Sequence, residues 1–204
     1  MHRILFGPSR GANNDLRRYY CHYRIGFRND DVSRPVGKFA VPYDYRQITP
    51  EQRAELVRRT TFEARLLEEM NAVGAESAGW VVLPNHYHIL LGVQTFDIIP
   101  KVIKRLHNGS SYEWNRTDGL AGQRRVWYKY YDRMIRNQEH YFQTLNYIHL
   151  NPHKHGYVQD PNEWPWSSLS MYYEERGRQW LREKWTEYTP PRGFGDGWDD
   201  DSPP

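Results

Sequence analysis

The chain of 204 residues contains a single cysteine, Cys21, and no apolar run long enough to cross a bilayer. One cysteine excludes an intramolecular disulfide framework and a cysteine-based zinc finger. The first eight residues lack the apolar length of a signal peptide. These absences predict a soluble cytoplasmic protein in which Cys21 is a small buried side chain of a strand.

The charge of the chain is unevenly distributed. Lysine and arginine number 28 against 25 aspartates and glutamates, yet four aspartates fall in the last nine residues. The remaining body is therefore clearly basic. It is also rich in rings, with eight tryptophans and sixteen tyrosines in the whole chain, many beside arginine or lysine. Interleaved cations and rings suit single-stranded nucleic acid; an aromatic core with solvated charges is the alternative reading.

Periodicity and capping signals predict the order strand, helix, strand, strand, helix, strand, helix. The strands are predicted at residues 19–27, 75–83, 86–93 and 125–134, and the helices at 50–72, 98–114 and from Asn137 toward Pro152. Thr49 and Gln52 form a capping-box pattern at the start of the first helix. This order predicts an α+β ferredoxin-like sandwich, an antiparallel sheet with helices on one face and an additional C-terminal helix.

The same signals divide the chain into a main domain and an appendage. We expect one domain over residues 1–165, opening with a loop or arm up to residue 16. A C-terminal extension over residues 166–204 should contain an uncertain helix and end in a disordered acidic tail. The charge asymmetry suggests the hypothesis that this tail lies over a basic groove and competes with DNA.

Two histidines, His86 and His88, lie one residue apart in an apolar segment that is typical of a strand. Alternation along a strand directs both side chains to one face, where two neutral imidazoles at a fixed separation favour a divalent metal ion. A pair of hydrogen-bonded structural histidines remains the alternative. His153 and His155 have the same spacing in a turn-like context, which indicates surface or nucleic-acid-facing charge.

A second candidate pair, Tyr147 and Asn151, lies four residues apart on the last predicted helix and therefore shares a face. The amide oxygen of Asn151 can bind a metal ion, and the phenol of Tyr147 can attack a phosphodiester that the metal polarises. The product would be a covalent phosphotyrosine. By spacing alone, a tyrosine at position 147 is more often a half-buried packing residue, and His149 points away from it.

Three segments carry a resemblance to a known family. LPNHYHIL at residues 83–90 resembles the His-hydrophobe-His motif of the HUH endonuclease superfamily. YIHLNP at 147–152, followed by GYV at 156–158, resembles the single-tyrosine helix of the transposases associated with repetitive extragenic palindromes (REP). VWYKYYDRMIR at 126–136 resembles the last-strand segment of the same subfamily. The motifs follow one another in the family's order over residues 80–158.

The resemblance implies a ferredoxin-like nuclease that acts on single-stranded DNA carrying a hairpin. By analogy, Tyr147 on the additional helix is the nucleophile and becomes linked to the 5′ phosphate of the cut strand. His86 and His88 would bind Mg²⁺ or Mn²⁺, and Asn151 would be the third protein ligand. We expect no small-molecule cofactor, no membrane partner, a monomer rather than a dimer, and a cytoplasmic protein that is nucleoid-associated when bound to DNA.

Residues outside these motifs are candidates for contact with the DNA strand. The cationic candidates for phosphate contacts are Lys101, Lys104, Arg105, Arg124, Arg125 and Lys129. The candidates for base stacking are Trp127 and Tyr130. A solvated helix face and a core position, respectively, are the alternative explanations.

Two other functions remain open at this level. The first is a catalytically silent, domesticated protein that binds hairpin DNA or RNA. The second is an unrelated metalloenzyme, such as an oxygenase or a hydrolase, built on His86 and His88. The second function requires a carboxylate or a third histidine near the pair, and the sequence places none there. The sequence also identifies no group that removes the proton from Tyr147.

Overall fold

The computed structural model describes residues 17–25, 49–120, 122 and 124–195, and within these ranges the chain forms an α+β fold. The strands are β1 (Arg17–Ile25), β2 (Glu76–Val82), β3 (His86–Val93) and β4 (Trp127–Met134). The helices are α1 (Pro50–Ala72), α2 (Ile99–Thr117), α3 (Gln138–Lys154) and α4 (Leu169–Glu187). The sheet order is β2-β3-β1-β4 with every neighbouring pair antiparallel, which confirms the predicted fold class.

The first two helices lie on one face of the sheet, as predicted, and the additional helix α3 covers the other face. On one face, Tyr87 of β3 meets the ring of Phe62 from α1 and lies with its hydroxyl 2.9 Å from Nε2 of His107 on α2. On the other face, His88 packs against Tyr147 of α3. Because neighbouring residues of a strand point to opposite faces, β3 separates the α1 and α2 layer from the α3 layer.

Helix α1 begins as its sequence predicts. The Thr49 side chain accepts a hydrogen bond from the Gln52 backbone, the Gln52 side chain accepts one from the Thr49 backbone, and Pro50 occupies the first turn. This capping box satisfies two of the backbone donors that an α-helix leaves without a partner. Gly74, with φ of +70°, follows the helix and allows the sharp turn into β2.

The position of α3 on the sheet depends on Gly79 of β2. A β-carbon at residue 79 would lie only 2.6 Å from Cδ1 of Leu145, so the leucine occupies the space that a side chain would fill. Ser168 adds a second connection, because its hydroxyl hydrogen-bonds with the Trp80 backbone and lies 2.9 Å from Nε2 of His149 on α3. These contacts hold α3 against β2 two residues from Tyr147.

The helices near the C-terminus extend beyond the predicted boundaries. Helix α3 continues through Pro152 to Lys154, because a proline in the last turn removes only one backbone hydrogen bond. Helix α4, which the sequence left uncertain, runs for 19 residues with a kink at Gly177. Cys21 is fully buried in β1, as predicted.

The expected N-terminal arm, the loop that follows β1 and the acidic tail lie outside the described residues. No helix within the described ranges is long and apolar enough to cross a membrane.

Candidate metal and nucleophile site

His86 and His88 lie side by side on the buried α3 face of β3, as their spacing predicts. Their ring centroids are 4.8 Å apart with the planes nearly perpendicular, and both side chains are almost fully buried. Each ring is oriented by a neighbouring oxygen at Nδ1: Asn85 Oδ1 lies 2.7 Å from His86, and the Tyr20 hydroxyl lies 2.5 Å from His88. With Nδ1 engaged in both rings, Nε2 is the atom that each would present to a metal ion.

Helix α3 presents three residues of one face to this histidine pair. The Tyr147 ring lies 5.5 Å from the His88 ring, and the His155 ring lies 5.2 Å from the His86 ring. Asn151 is midway between Tyr147 and the C-cap residue His155 at the same helical spacing, which places it on the helix face that meets the pair. The half-buried packing of His155 corrects the interpretation of this residue as surface charge.

Asn151 has the most distinctive environment in the site. Its side chain is fully buried, and neither its amide oxygen nor its amide nitrogen has a hydrogen-bond partner within the described part of the chain. A buried amide without a partner costs free energy, which a bound cation at its oxygen would offset. Two imidazole nitrogens and an amide oxygen fit a divalent ion that completes its coordination with water and phosphate oxygens.

The described ranges contain no cluster of three or more histidine, cysteine, aspartate or glutamate side chains placed to bind a metal ion. His155 packs against His86, yet the three histidines do not form such a cluster. Asn151 stays the candidate for the third protein ligand.

Lys154 is a site residue that the sequence analysis missed. Its Nζ lies 3.4 Å from the Tyr147 hydroxyl and 4.8 Å from the centroid of the Tyr147 ring. An ammonium group at this position stabilises negative charge on the phenol oxygen. The signal was present in the sequence, because residues spaced i, i+4 and i+7 share one face of a helix, and 147, 151 and 154 have that spacing.

The chain after α4 returns to cover Tyr147. The Phe194 ring lies 5.6 Å from the Tyr147 ring, and a β-carbon on Gly195 would lie 2.5 Å from the Tyr147 hydroxyl. The Tyr147 side chain is only 5% exposed as a result. The nucleophile candidate is therefore closely packed by residues that immediately precede the acidic tail.

His149 is directed away from Tyr147, as expected for a residue two positions along a helix. It contacts the Ser168 hydroxyl and the ring of Tyr172. Burial lowers the pKa of His149 from 6.5 to about 3, so this imidazole is neutral near pH 7. His149 fixes α3 to its neighbours and does not reach the phenol.

The structure places Trp127 in the core, which corrects its assignment as a base-stacking residue. Its side chain is buried, its Nε1 donates to Ser110, and its ring stacks on His107 with centroids 4.0 Å apart. Tyr130 lies on the same strand, and its side chain is outside the described part of the structure, as is that of Lys129.

The predicted phosphate-binding residues do not converge on the tyrosine. Lys101, Lys104 and Arg105 are exposed on α2, on the opposite face of the sheet from Tyr147. Arg105 is paired with Glu69 of α1.

The two arginines before β4 also have partners within the protein. Arg124 donates to Asn115 and is ion-paired with Asp118, so it joins the end of α2 to the segment before β4. Arg125 is exposed, donates to the Trp127 carbonyl and lies over the ring of Tyr128. Neither arginine contacts the histidine pair.

Comparison with known proteins agrees with the motifs. No protein-family model matches the chain. The chain is 30% identical over 99 residues to the REP-associated tyrosine transposase of Escherichia coli (strain K12), an alignment that covers 46% of this chain and 54% of that protein. It is also 30% identical over 111 residues, covering 46% and 58%, to a Haemophilus influenzae protein of the same family name.

A solved structure of a REP-associated tyrosine transposase bound to a REP hairpin has a similar fold. The TM-score is 0.50 at 19% sequence identity, and the match covers 78% of this chain and 80% of the other. The chain spans about half the length of the curated relatives that it matches. The resemblance that the sequence motifs indicate is confirmed by these similarities.

Proposed function

We propose that this homologue of the REP-associated tyrosine transposases is a metal-dependent endonuclease and transposase that cleaves and rejoins single-stranded DNA beside hairpins. The observation that carries the proposal is the packing of the Tyr147 ring, with Lys154 beside its hydroxyl, against the histidine pair of β3. Asn151, whose buried amide has no hydrogen-bond partner among the described residues, lies one turn further along the same helix. The similarity in fold to a transposase bound to a REP hairpin supports hairpin DNA as the partner.

His86, His88 and Asn151 would hold Mg²⁺ or Mn²⁺, which when bound supplies Lewis-acid polarisation of the scissile phosphate. The Tyr147 oxygen then forms a bond to phosphorus as the bond from phosphorus to the 3′ oxygen breaks. The strand that leaves takes a proton from water as its 3′ hydroxyl forms, and the other strand stays joined to Tyr147 through its 5′ phosphate. Rejoining is the same exchange in reverse.

The phenol must lose a proton to solvent before or during attack. The Lys154 ammonium, 3.4 Å from the phenol oxygen, favours the phenolate because opposite charges attract. In this proposal the protein acts as a monomer, in the cytoplasm at the nucleoid.

One observation favours a second candidate, a catalytically silent protein that binds hairpin DNA or RNA. The Tyr147 hydroxyl is covered by Gly195 and the ring is almost fully buried, so the phenol must be uncovered before it can react. A protein that kept the fold and lost catalysis could retain this packing.

The experiment that tests the proposal is a search for a covalent adduct. The protein is incubated with end-labelled single-stranded DNA hairpins and Mn²⁺, and the products are separated on a denaturing gel. We expect a protein–DNA adduct that is absent in Tyr147→Phe and after chelation, and present in Tyr141→Phe, a matched change on the same helix. Tight hairpin binding with no adduct on varied substrates would instead establish the binding-only function.

A further inference from the structure

Arg59 of α1 is a buried guanidinium with an unusual setting. Only 9% of the residue is exposed, and its guanidinium carbon lies 4.3 Å from the ring centroid of Trp166 and 5.1 Å from that of Trp164. Both rings come from the segment between α3 and α4. Across the described residues, no oxygen accepts a hydrogen bond from this guanidinium, and no carboxylate lies within ion-pair distance.

This setting leaves a positive charge only partly compensated. Burial lowers the pKa of Arg59 from 12.5 to about 10, although the negative charge of Glu55 opposes the effect. The guanidinium is therefore still protonated near pH 7. Contact with two aromatic faces stabilises a cation, but it satisfies none of the five N–H donors.

Arg59 lines a cleft with two further arginines. The cleft is small, with a volume of about 30 Å³. Its walls include Glu55, Arg58, Arg59, Pro84, Trp114 and Arg124, and we call it the Arg59 cleft. Its lining holds three guanidinium groups against one carboxylate, so the opening attracts an anion rather than a neutral ligand.

The other two arginines are held in place by a shared partner. Arg58 and Arg124 are both ion-paired with Asp118. Although burial raises the pKa of Asp118, the hydrogen bonds from Arg58 and Arg124 outweigh it and lower the pKa overall. One carboxylate thus fixes two cations in the wall, while Arg59 keeps its hydrogen-bonding capacity for a ligand.

The Arg59 cleft lies close to the histidine pair along the chain. Pro84 forms part of its wall, and the next residue, Asn85, places its side-chain oxygen on His86. Because consecutive Cα atoms are about 3.8 Å apart, the Cα atoms of Pro84 and His86 are at most about 7.6 Å apart. A DNA strand held at His86 can therefore pass around the β2–β3 turn to the cleft.

We propose that the Arg59 cleft binds one phosphodiester of the single-stranded DNA that flanks the hairpin, with Arg59 as the principal donor. The site rests on the proposed function, because it defines how the substrate strand is held beside the reacting bond. A planar guanidinium donates two parallel hydrogen bonds to a phosphate, and the flanking arginines add long-range attraction.

The test combines variants of the protein with neutral linkages in the DNA. Affinity is measured for Tyr147→Phe protein without metal, so that neither cleavage nor metal binding affects the result. The DNA is a hairpin with single-stranded flanks, in which one phosphodiester at a time is replaced by an uncharged methylphosphonate. The Tyr147→Phe protein is the background, and Arg59→Gln is added to it. The control adds Arg65→Gln instead, which removes an equal charge from the same helix outside the cleft.

We expect one flanking methylphosphonate to weaken binding by roughly 10-fold or more in the background protein and to have no further effect in Arg59→Gln. The slope of log affinity against log salt should fall by about 0.7 in Arg59→Gln, the value for one phosphate contact on a single strand. Arg65→Gln should retain the methylphosphonate effect. Arg59→Lys, which keeps the charge and protects the fold, should keep the slope and bind more weakly.

Other outcomes overturn the proposal. If Arg59→Gln binds the DNA as tightly as the background protein, Arg59 only supports the fold. The same conclusion follows if a methylphosphonate weakens binding equally at every position of the DNA. Stabilisation of the background protein by inorganic phosphate, together with no sensitivity to any methylphosphonate, would assign the cleft to a free anion. A covalent adduct from the unmodified protein in either case would leave the proposed function intact while the cleft proposal fails.

Discussion

The hydroxyl of Tyr20 on β1 lies 2.5 Å from Nδ1 of His88 on β3, with the two rings stacked 5.7 Å apart. Tyr20 pairs with Leu90 in the sheet, so it points to the same face as His88, which is two residues before Leu90 on β3. The contact fixes the imidazole orientation from a neighbouring strand. Such contacts to the second nitrogen determine how strongly a histidine binds a metal ion.

Replacing Tyr20 by phenylalanine should weaken metal binding without changing any ligand. The hydroxyl would be lost while the ring keeps its packing, and we expect Mn²⁺ affinity to fall roughly 10- to 100-fold. Titration calorimetry measures the effect, with Tyr19→Phe as the control because Tyr19 stacks on Phe96 instead. Equal Mn²⁺ affinity in both variants would contradict the role of Tyr20.

Replacing Asn151 by leucine should separate stability from metal binding. The change removes two buried polar atoms without partners among the described residues, so the metal-free protein should gain about 1–3 kcal/mol. Stabilisation by Mn²⁺ should disappear. Asn146→Leu is the matched control: Asn146 donates to the carbonyls of Lys184 and Tyr188, and its loss should destabilise the protein. Thermal unfolding with and without Mn²⁺ checks both expectations.

Replacing Lys154 by glutamine should slow adduct formation and leave DNA affinity nearly unchanged. Removal of the cation beside the phenol should lower the single-turnover rate on the order of 100-fold at saturating DNA. Lys104→Gln, an exposed change on the other face of the sheet, should retain the rate. A normal rate in Lys154→Gln would mean that another group stabilises the phenolate.

Replacing Gly195 by alanine should uncover Tyr147. The new methyl group would meet the Tyr147 hydroxyl, so the covering segment must shift. Adduct formation should accelerate, roughly tenfold for each 1.4 kcal/mol of packing lost. Gly177→Ala also places a side chain at positive φ, but it meets open space and should not change the rate. A slower reaction in Gly195→Ala would instead make this segment part of the competent site.

Protein stability should fall in mild acid because of His107. Burial lowers its pKa from 6.5 to about 3, so between these values the unfolded chain binds a proton that the folded chain does not. The contribution of neutral His107 to the free energy of unfolding is complete above pH 6.5 and is lost as the pH approaches 3. His107→Phe should reduce the slope of unfolding free energy against pH, between pH 4 and 5.5, by about 1.4 kcal/mol per unit. Denaturant titrations at several pH values with the same slope for both proteins would contradict this assignment.

The sequence predicted those features of the site that depend on local periodicity. Strand alternation placed His86 and His88 on one face, and helical spacing placed Tyr147 and Asn151 on another. Both placements hold in the structure because each rests on a repeat of two to four residues. Lys154 follows the same rule two turns after Tyr147, so helical spacing also indicates its place beside the tyrosine.

Local sequence patterns do not predict contacts between segments that are far apart in the chain. Tyr20 reaches His88 through the pairing of β1 with β3, and Arg59 meets Trp166 across more than a hundred residues. Trp127 is a residue for which the local pattern gave a wrong prediction. Cations beside it suggested a base-stacking role, but the inner face of β4 determines its burial, and only the assembled sheet defines that face.

Gly79 has a consequence for how the proposed activity could change over generations. The distance of α3 from the sheet depends on Leu145, which occupies the space beside residue 79 and belongs to none of the candidate site groups. Two descendants could therefore inherit identical histidines, asparagine and tyrosine and still differ in how far the phenol reaches. A single methyl group gained at residue 79 would displace Leu145 and, with it, the helix that carries Tyr147.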